Sequence, residues 1–214
     1  MSEVDGTLME GLRKAIEEGL VRFGIDYDGE RLSQICSYVE SLEKWNRRMN
    51  LIGLKETGKV VQEIIYDAFF LFTCVRDRER ILDLGSGAGV LAVPTAILGR
   101  EKTVFSVDKS LKKAQFQRHV RRLLGLKNLF ILHERVEDVQ PLEVDAVMAK
   151  AFGSTVEVVA KGRRHVKEGG VILLVRGKSE KPTEEEGFVL LEKSAYKLPK
   201  SPKEYQLFVY KKVS

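Results

Sequence analysis

The stretch ILDLGSGAG, residues 81–89, decides the fold because a short apolar run leads directly into three closely spaced glycines. Gly85, Gly87 and Gly89 have no Cβ, so the chain can turn sharply there and a nucleoside can approach the backbone. Pro94 follows near the first turn of the next predicted helix, where its missing N–H costs little. A strand, a glycine-rich turn and a helix in this order predict a nucleotide-binding α/β fold.

Further apolar runs follow the glycine loop and alternate with segments of helical periodicity. They predict strands over residues 103–108, 129–134, 145–152 and 171–177, with helices ending near residue 98 and spanning 111–124 and 155–166. Such alternation is built from right-handed crossovers and gives a parallel sheet. Residues 188–198 and 205–212 are joined by a turn without a helix, so we expect them to pair antiparallel at the sheet edge.

The amino-terminal part has apolar residues at steps of three and four, which predict helices up to about residue 20, over 32–49 and over 59–75. These stripes are typical of core packing, while polar faces such as the one carrying Arg47 remain available to a substrate. We therefore predict a helical extension, residues 1–75, and a nucleotide-binding domain, residues 76–214, packed as one compact unit.

Composition narrows the class of protein. Lys and Arg number 36 against 31 Asp and Glu, a formal net charge of +5 that is compatible with a polyanionic partner without indicating one. The two cysteines are far apart and the three histidines lack the spacing of metal ligands, so no metal is expected. No signal peptide and no membrane-spanning apolar run are recognisable, which predicts a soluble cytoplasmic protein.

Carboxylates at three successive strand ends indicate which nucleoside-containing cofactor the protein binds. Asp83 stands where dinucleotide-binding folds usually carry an apolar residue, and there it would face the α-ammonium of a methionine moiety. Asp108, at the end of the second strand, would accept hydrogen bonds from ribose hydroxyls, and Val136 with Glu137 would meet the adenine edge. The sixth position of the dinucleotide pattern GxGxxG is Val90 rather than glycine or alanine. Together these residues predict S-adenosylmethionine, converted to S-adenosylhomocysteine, although each acid alone would also suit a helix cap or a solvated surface.

At this point the chain resembles the RsmG/GidB family. The segments that carry the resemblance are LEKWNRRMNLIG (42–53), IIYDAF (64–69), DLGSGAG (83–89), VDKSLKKAQF (107–116), ERVED (134–138) and AKAFG (149–153). The resemblance runs from about residue 30 to 212, and the WN-x-x-MNL segment is its more specific part. It implies a class I (Rossmann-like) methyltransferase with a helical extension, which methylates guanine N7 in the decoding region of 16S ribosomal RNA.

The resemblance also implies roles for single residues. Gly85 and Val90 would line the cofactor, and Val136 and Glu137 would hold adenine. Lys150 takes the place of an arginine at the catalytic edge, Arg135 matches an arginine before the adenine contact, and Lys112 matches a lysine after the ribose acid. On this basis Lys150 and Arg135 are the predicted catalytic residues.

This sequence departs from the family pattern at four places. Val90-Leu91-Ala92 replaces a Phe-Pro-Gly segment, Arg176 replaces a lysine before glycine, and Ile64 replaces a histidine. The fourth departure is Lys150, which keeps the charge of the family arginine but loses its planar, two-pronged donor group.

The sequence lacks the motifs that methylation of other RNA atoms requires, and this absence is consistent with methylation of guanine N7. N7 carries an in-plane lone pair and no hydrogen, so no general base is needed. After the fourth strand there is neither the Asn/Asp-Pro-Pro-aromatic motif of amino methylation nor a nucleophilic cysteine for carbon methylation. Phe152 either stacks on the target base or packs in the core. Basic side chains are predicted to contact the RNA, although a solvated charged face would have the same composition. These residues are Lys112, Arg118, Arg121, Arg122, Lys161, Arg163, Arg164, Arg176 and Arg47.

The predicted partner is 16S rRNA or the small ribosomal subunit, bound by a monomer. Three alternatives remain open from the sequence: a methyltransferase of the same fold that acts on a small molecule or protein, a nicotinamide-dependent oxidoreductase, and a non-catalytic RNA-binding protein. The oxidoreductase would lack a second domain and a catalytic His or Tyr constellation.

Overall fold

The computed structural model describes residues 3–54 and 56–213, with side chains from residue 9 onward. Its centre is a seven-stranded sheet in the order β3-β2-β1-β4-β5-β7-β6. The strands are β1 (Arg80–Leu84), β2 (Thr103–Val107), β3 (Leu129–Leu132), β4 (Val144–Lys150), β5 (Val166–Gly177), β6 (Phe188–Lys197) and β7 (Glu204–Lys212). β1 and β4 are buried almost throughout because helices cover both faces of the central strands.

The strand directions confirm the predicted fold class. The first five strands pair parallel with one another. β7 runs antiparallel between β5 and β6, so the antiparallel strand lies one place inside the edge and β6 forms the edge itself. The carboxyl ends of the parallel strands consequently meet along one side of the sheet, where the chain order reverses between β1 and β4.

The helices are α1 (Glu3–Arg22), α2 (Gly29–Met49), α3 (Thr57–Val60), α4 (Tyr66–Cys74), α5 (Ala92–Leu98), α6 (Leu111–Leu123) and α7 (Thr155–Gly162). A π-helical turn, Val61–Ile65, joins α3 to α4, so the predicted third helix is continuous but widened in its middle. Such turns are rare in proteins, and those that occur are often found at functional sites. None of these helices is both long and apolar enough to cross a membrane, as far as the described residues go.

One element boundary differs clearly from the prediction. The helix expected to reach residue 166 ends at Gly162, and β5 begins at Val166, five residues earlier than expected. Gly169 has a φ of +74°, and the pairing of β4 with β5 shifts register between Val144 and Ala146. An irregular, glycine-containing first part of a strand has no clean alternation, which explains why periodicity missed it.

The amino-terminal helices share a core with the sheet domain. Tyr38 of α2 is fully buried and donates a hydrogen bond to the carbonyl of Ala88, at 3.2 Å, in the glycine loop. Trp45 packs edge-on against Phe116 of α6, with ring centroids 5.5 Å apart. The helical layer therefore supports the loop from behind. A boundary at residue 76 stays a prediction.

Candidate active site

A cavity of about 640 Å³ opens at the carboxyl ends of β1, β2, β3 and β4, a size that suits a nucleoside-containing ligand. Eight of the predicted site residues line it: Gly85, Asp108, Lys112, Arg135, Val136, Glu137, Phe152 and Lys161. The loop after α2, residues 50–53, also lines the cavity. The structure therefore brings together residues from six separate segments of the chain.

The glycine loop turns tightly at the end of β1. The N–H groups of Gly85 and Ser86 both donate to the carbonyl of Val107, each at 3.0 Å. Gly85 has a φ of +71°, and the ring of Phe152 lies directly against its α-carbon, where a Cβ would collide with the ring. Glycine is required here for both reasons, and Phe152 forms part of the cavity wall.

Asp83 is buried behind the loop. It is 2% exposed, and its Oδ2 accepts a hydrogen bond from the N–H of Ala92, at 2.9 Å, where α5 begins. Burial raises the pKa of Asp83 to about 7, against the lowering effect of N–H donors from Ala92 and Leu91, while the charge of Asp108 adds to the rise. The alternative of a solvated Asp83 is thus wrong.

No cation pairs with Asp83 in the part of the chain that the structure describes. A buried carboxylate without a positive partner is costly, and a ligand ammonium would relieve that cost. Asp83 does not line the cavity, however, so its predicted contact with the α-ammonium of the cofactor stays a prediction.

Asp108 lies at the mouth of the cavity and organises both sides of it. Its Oδ2 accepts from the N–H of Gly87 at 2.9 Å, and its Oδ1 accepts from the N–H of Ser110 at 2.8 Å. Each carboxylate oxygen keeps a lone pair for a further donor, so the group is still able to accept from ribose hydroxyls. The residue fits the adenosine part of S-adenosylmethionine.

The segment after β3 supplies an apolar wall and a charged rim. Val136 is 5% exposed and lines the cavity, while Glu137 is exposed and pairs with Lys161 at 3.1 Å. A hydrogen bond from its own N–H, together with the Lys161 ammonium, lowers the pKa of Glu137. Arg135 is exposed at the same rim. This arrangement fits an adenine ring, with apolar contact on its face and acceptors at its edge.

Asn46 explains why the WN-x-x-MNL segment matters. Its Oδ1 accepts from the N–H of Ile52 at 2.8 Å, and its Nδ2 donates to the carbonyl of Leu54 at 2.7 Å. The side chain therefore clamps the loop that closes the cavity. Lys112 adds a second tie, because its Nζ donates to the carbonyls of Met49 at 3.0 Å and Asn50 at 3.3 Å. Lys112 thus caps α2, and its predicted RNA contact stays a prediction.

Lys150 is held at the end of β4 by residues that sequence reasoning missed. Its Nζ forms an ion pair with Asp67 of α4 and donates to the carbonyl of Glu63, at 2.8 Å, in the π-helical turn. The next residue, Ala151, has a φ of +52°, a strained conformation of the kind that clusters at functional sites. The only sequence signal for Asp67 was an acid within the apolar run IIYDAFFLF.

Arg176 is buried near the end of β5. It is 4% exposed, and its guanidinium donates to the carbonyl of Gly153 at 3.0 Å and to Oγ1 of Thr155 at 3.2 Å. Burial lowers the pKa of Arg176. In this structure Arg176 braces the segment that carries Phe152, and its predicted RNA contact stays a prediction.

The remaining predicted RNA contacts separate into two groups. Arg118 and Arg122 of α6 and Arg47 of α2 are exposed, and they have neither an ion pair nor a side-chain hydrogen bond within residues 9–54 and 56–213. Arg121, Lys161, Arg163 and Arg164 are engaged by carbonyls or carboxylates of the protein itself. The first group is therefore better placed to meet phosphates.

Val90 and Gly89 lie behind the cavity wall, with Gly87, rather than in it. Gly89 is required by packing, because a Cβ there would be 2.8 Å from Cγ2 of Val93. No group of three or more His, Cys, Asp or Glu side chains able to hold a metal occurs among the described residues.

Comparison with known proteins agrees with this site. A family model described as rRNA small subunit methyltransferase G (GidB) matches residues 31–203. Ribosomal RNA small subunit methyltransferase G of Vibrio campbellii is 33% identical over 171 residues, 79% of this chain and 81% of that protein. The protein of the same name from Nitrosococcus oceani is 32% identical over 164 residues, 76% of each chain. The solved structure of M. jannaschii TYW2 with AdoMet matches with a TM-score of 0.58 at 19% identity, over 71% of this chain and 77% of that one.

The strand order is that of a class I, Rossmann-like fold, and the family match identifies the chain as a methyltransferase that uses S-adenosylmethionine. More narrowly, the chain belongs to the GidB family of small-subunit rRNA methyltransferases. The predicted fold, family and cofactor are confirmed, and the nicotinamide-dependent alternative is excluded.

Proposed function

We propose that this protein methylates N7 of a guanine in the decoding region of 16S ribosomal RNA, free or within the small ribosomal subunit. The observation that carries the proposal is the family match over residues 31–203, which includes every segment that lines the cavity. We further propose that the protein acts as a monomer in the cytoplasm.

The cavity chemistry favours N7 over other atoms of RNA. The bound cofactor supplies a methyl group on a positively charged sulfur. Guanine N7 offers an in-plane lone pair and loses no proton, so the protein needs only to align the base and exclude water. Neither Cys36 nor Cys74 lines the cavity, which argues against methylation of a pyrimidine carbon through a cysteine adduct.

We assign the adenosine part of the cofactor to Asp108, Val136 and Glu137, and its methionine part to the side of the glycine loop where Asp83 is buried. The register supports a common reaction side. Met148 pairs with Asp83 across β1 and β4, so Lys150, two residues further on, projects from the same face as Asp83. Phe152 and Arg135, at the cavity rim, are candidates to meet the target nucleotide.

N7 faces the major groove, which is deep and narrow in A-form RNA. The target guanine must therefore lie in an irregular loop or leave its stack. The exposed arginines Arg47, Arg118 and Arg122 would then contact backbone phosphates on either side. Phe152, which lines the cavity, is a candidate to stack on a displaced base.

The decisive experiment incubates the purified protein with small ribosomal subunits or 16S rRNA and methyl-labelled S-adenosylmethionine. Cleavage of the RNA at 7-methylguanosine should map the label to one guanine of the decoding region. A matched reaction with Asp108→Ala should show little incorporation at the same cofactor concentration. Label at another atom, label in a small molecule or protein, or no label would refute the proposal.

A further inference from the structure

Three buried polar side chains form a closed set of hydrogen bonds behind the glycine loop. They are Ser86 in the loop, Ser106 on β2 and Gln117 on α6, and none of them is more than 2% exposed. The hydroxyl oxygens of Ser86 and Ser106 are 2.6 Å apart. Gln117 reaches both, with Oε1 2.5 Å from the Ser106 hydroxyl and Nε2 3.0 Å from the Ser86 hydroxyl. This ring of side chains joins the loop to the next strand and the next helix.

The positions of the protons in the ring follow from one backbone group. Nε2 of Gln117 also donates to the carbonyl of Gly87 at 2.8 Å, so a flipped amide would set two acceptors against each other. Oε1 must then accept from the Ser106 hydroxyl, and because that hydroxyl has a single proton, Ser86 donates to Ser106. The bonds therefore run in one direction around the ring, and such bonds strengthen one another. The glutamine is held in one orientation.

The glycine loop needs support from outside because it has few side chains of its own. Gly85, Gly87 and Gly89 all have a positive φ, and glycine loses more conformational freedom on folding than any other residue. Gln117 restrains the loop at two places. It holds the carbonyl of Gly87, and its Cδ lies 3.1 Å from the position that a Cβ on Gly89 would take. The conformation of the loop is thus set from α6.

Gly87 connects the buried ring to the cavity. Its carbonyl accepts from Gln117, and its N–H donates to Oδ2 of Asp108, which lines the cavity. The other anchor of the Asp108 carboxylate is the N–H of Ser110. A rotation of the Gly87 backbone would remove one of these two anchors and let the carboxylate turn away from the ribose assigned to it. Two hydrogen bonds therefore link Gln117 to Asp108.

Building on the assignment of Asp108 to the ribose under the proposed function, we propose that Gln117 is a positioning residue for S-adenosylmethionine. It fixes Gly87, and Gly87 fixes the Asp108 carboxylate in the orientation that accepts from the ribose hydroxyls. Gln117 does not itself line the cavity, so it acts on the cofactor through the loop. Loss of its amide should weaken chiefly the contacts that depend on the ribose hydroxyls.

The test measures the Kd of S-adenosylhomocysteine and of its analogue without the two ribose hydroxyls, by calorimetric titration. The wild-type protein should prefer the hydroxylated ligand at least about tenfold, because the analogue forms no hydrogen bonds with the Asp108 carboxylate. Gln117→Met has a similar volume and no donor. We expect it to raise the Kd of S-adenosylhomocysteine at least about tenfold and that of the analogue less than about twofold, so the preference falls at least about fivefold. A merely structural role of Gln117 would leave the preference unchanged in the folded variant.

Gln34 provides the matched control. Its Nε2 also donates to a backbone carbonyl, that of Leu124 at 2.9 Å, but at the carboxyl end of α6 rather than in the glycine loop. Gln34→Met should change neither Kd by more than about twofold, because distant sites act independently. Asp108→Ala removes the group through which Gln117 acts, so adding Gln117→Met to Asp108→Ala should leave the remaining preference unchanged.

A second variant keeps the test valid if Gln117→Met does not fold. The triple variant Ser86→Ala/Ser106→Ala/Gln117→Met removes both hydroxyls together with the amide and leaves no polar side chain of the ring without a partner. Replacing all partners of a buried hydrogen bond with apolar groups costs little stability. The triple variant should therefore fold and still lose the preference, because the carbonyl of Gly87 remains without its donor.

Two results would overturn this inference alone. The first is a wild-type preference for the hydroxylated ligand in folded Gln117→Met or in the triple variant. The second is a further fall of the preference when Gln117→Met is added to Asp108→Ala. A wild-type protein that binds both ligands equally would instead overturn the assignment of Asp108, and this inference with it. RNA takes no part in these titrations, so a failure of the guanine N7 proposal is recognised separately, in the labelling experiment.

Discussion

The ring of Phe152 lies directly on the α-carbon of Gly85, so the segment after β4 and the loop after β1 form one continuous cavity wall. Gly85 has a positive φ as well, which any other L-residue adopts only with strain. Substitution here should therefore cost more than backbone strain alone, because the added Cβ also displaces the ring.

Gly85→Ala is accordingly expected to destabilise the protein by about 1–3 kcal/mol more than Gly125→Ala. Gly125 is the matched control, since its φ of +65° is similar but a Cβ there meets nothing within 4 Å. Urea unfolding of both variants measures the difference. Adding Phe152→Ala to Gly85→Ala should recover part of the loss, and equal costs at the two glycines would contradict this account of the wall.

Asp83 should make the stability of the cofactor-free protein depend on pH. Its pKa is about 7 in the folded protein, against about 3.9 in an unfolded chain, so folding takes up a proton between these values. The contribution of Asp83 to stability is then largest below about pH 4, falls as the pH rises towards 7, and levels off above it. Asp83→Asn keeps an acceptor for the N–H of Ala92 but does not titrate.

We expect the wild-type protein to lose on the order of 2–3 kcal/mol of unfolding free energy relative to Asp83→Asn between pH 5 and pH 8. Denaturant melts of both proteins at the two pH values provide the measurement. A difference between the two proteins that does not change with pH would show that Asp83 titrates normally and is not desolvated.

Asp108 should contribute to cofactor affinity. Asp108→Ala removes the acceptor for ribose and the ties to Gly87 and Ser110, so the Kd of S-adenosylmethionine should rise at least about tenfold, given roughly 1.5–3 kcal/mol for a hydrogen bond to a charged group. Calorimetric titration measures it, with the exposed Asp77→Ala as control. An unchanged Kd in Asp108→Ala would mean that the cofactor lies elsewhere.

The exposed arginines of α6 should carry part of the salt dependence of RNA binding. Replacing Arg118 and Arg122 with Gln should weaken binding and lower the slope of log K against log salt by about 1 for each lost phosphate contact. Filter binding at several salt concentrations measures the slope. The control replaces Lys181 and Lys193, which are exposed in the linker before β6 and on β6. A slope that falls equally in both double variants would indicate a general charge effect rather than an RNA-binding face.

Local patterns were sufficient to predict the order of strands and helices and the cofactor class. Residues close together in the sequence define the glycine loop, its flanking strand and Asp108 at the next strand end. Because βαβ crossovers join parallel strands, the ends of those strands lie side by side. Hydrophobic periodicity did not predict the elements that have an irregular backbone. The early start of β5 at Val166 and the π-helical turn Val61–Ile65 have no periodic signal.

The sequence by itself determined which side chains would reach the carboxyl edge of the sheet, because strand and helix periods fix direction. Only the tertiary structure decided how deep each one lies and what it contacts. Asp83 is buried rather than solvated, and the buried Arg176 donates to the carbonyl of Gly153. Lys150 at the end of β4 forms an ion pair with Asp67, which lies on a helix far away in the sequence. Burial and ion pairing depend on elements that pack from far along the chain, and these long-range contacts set the pKa and the orientation of each group.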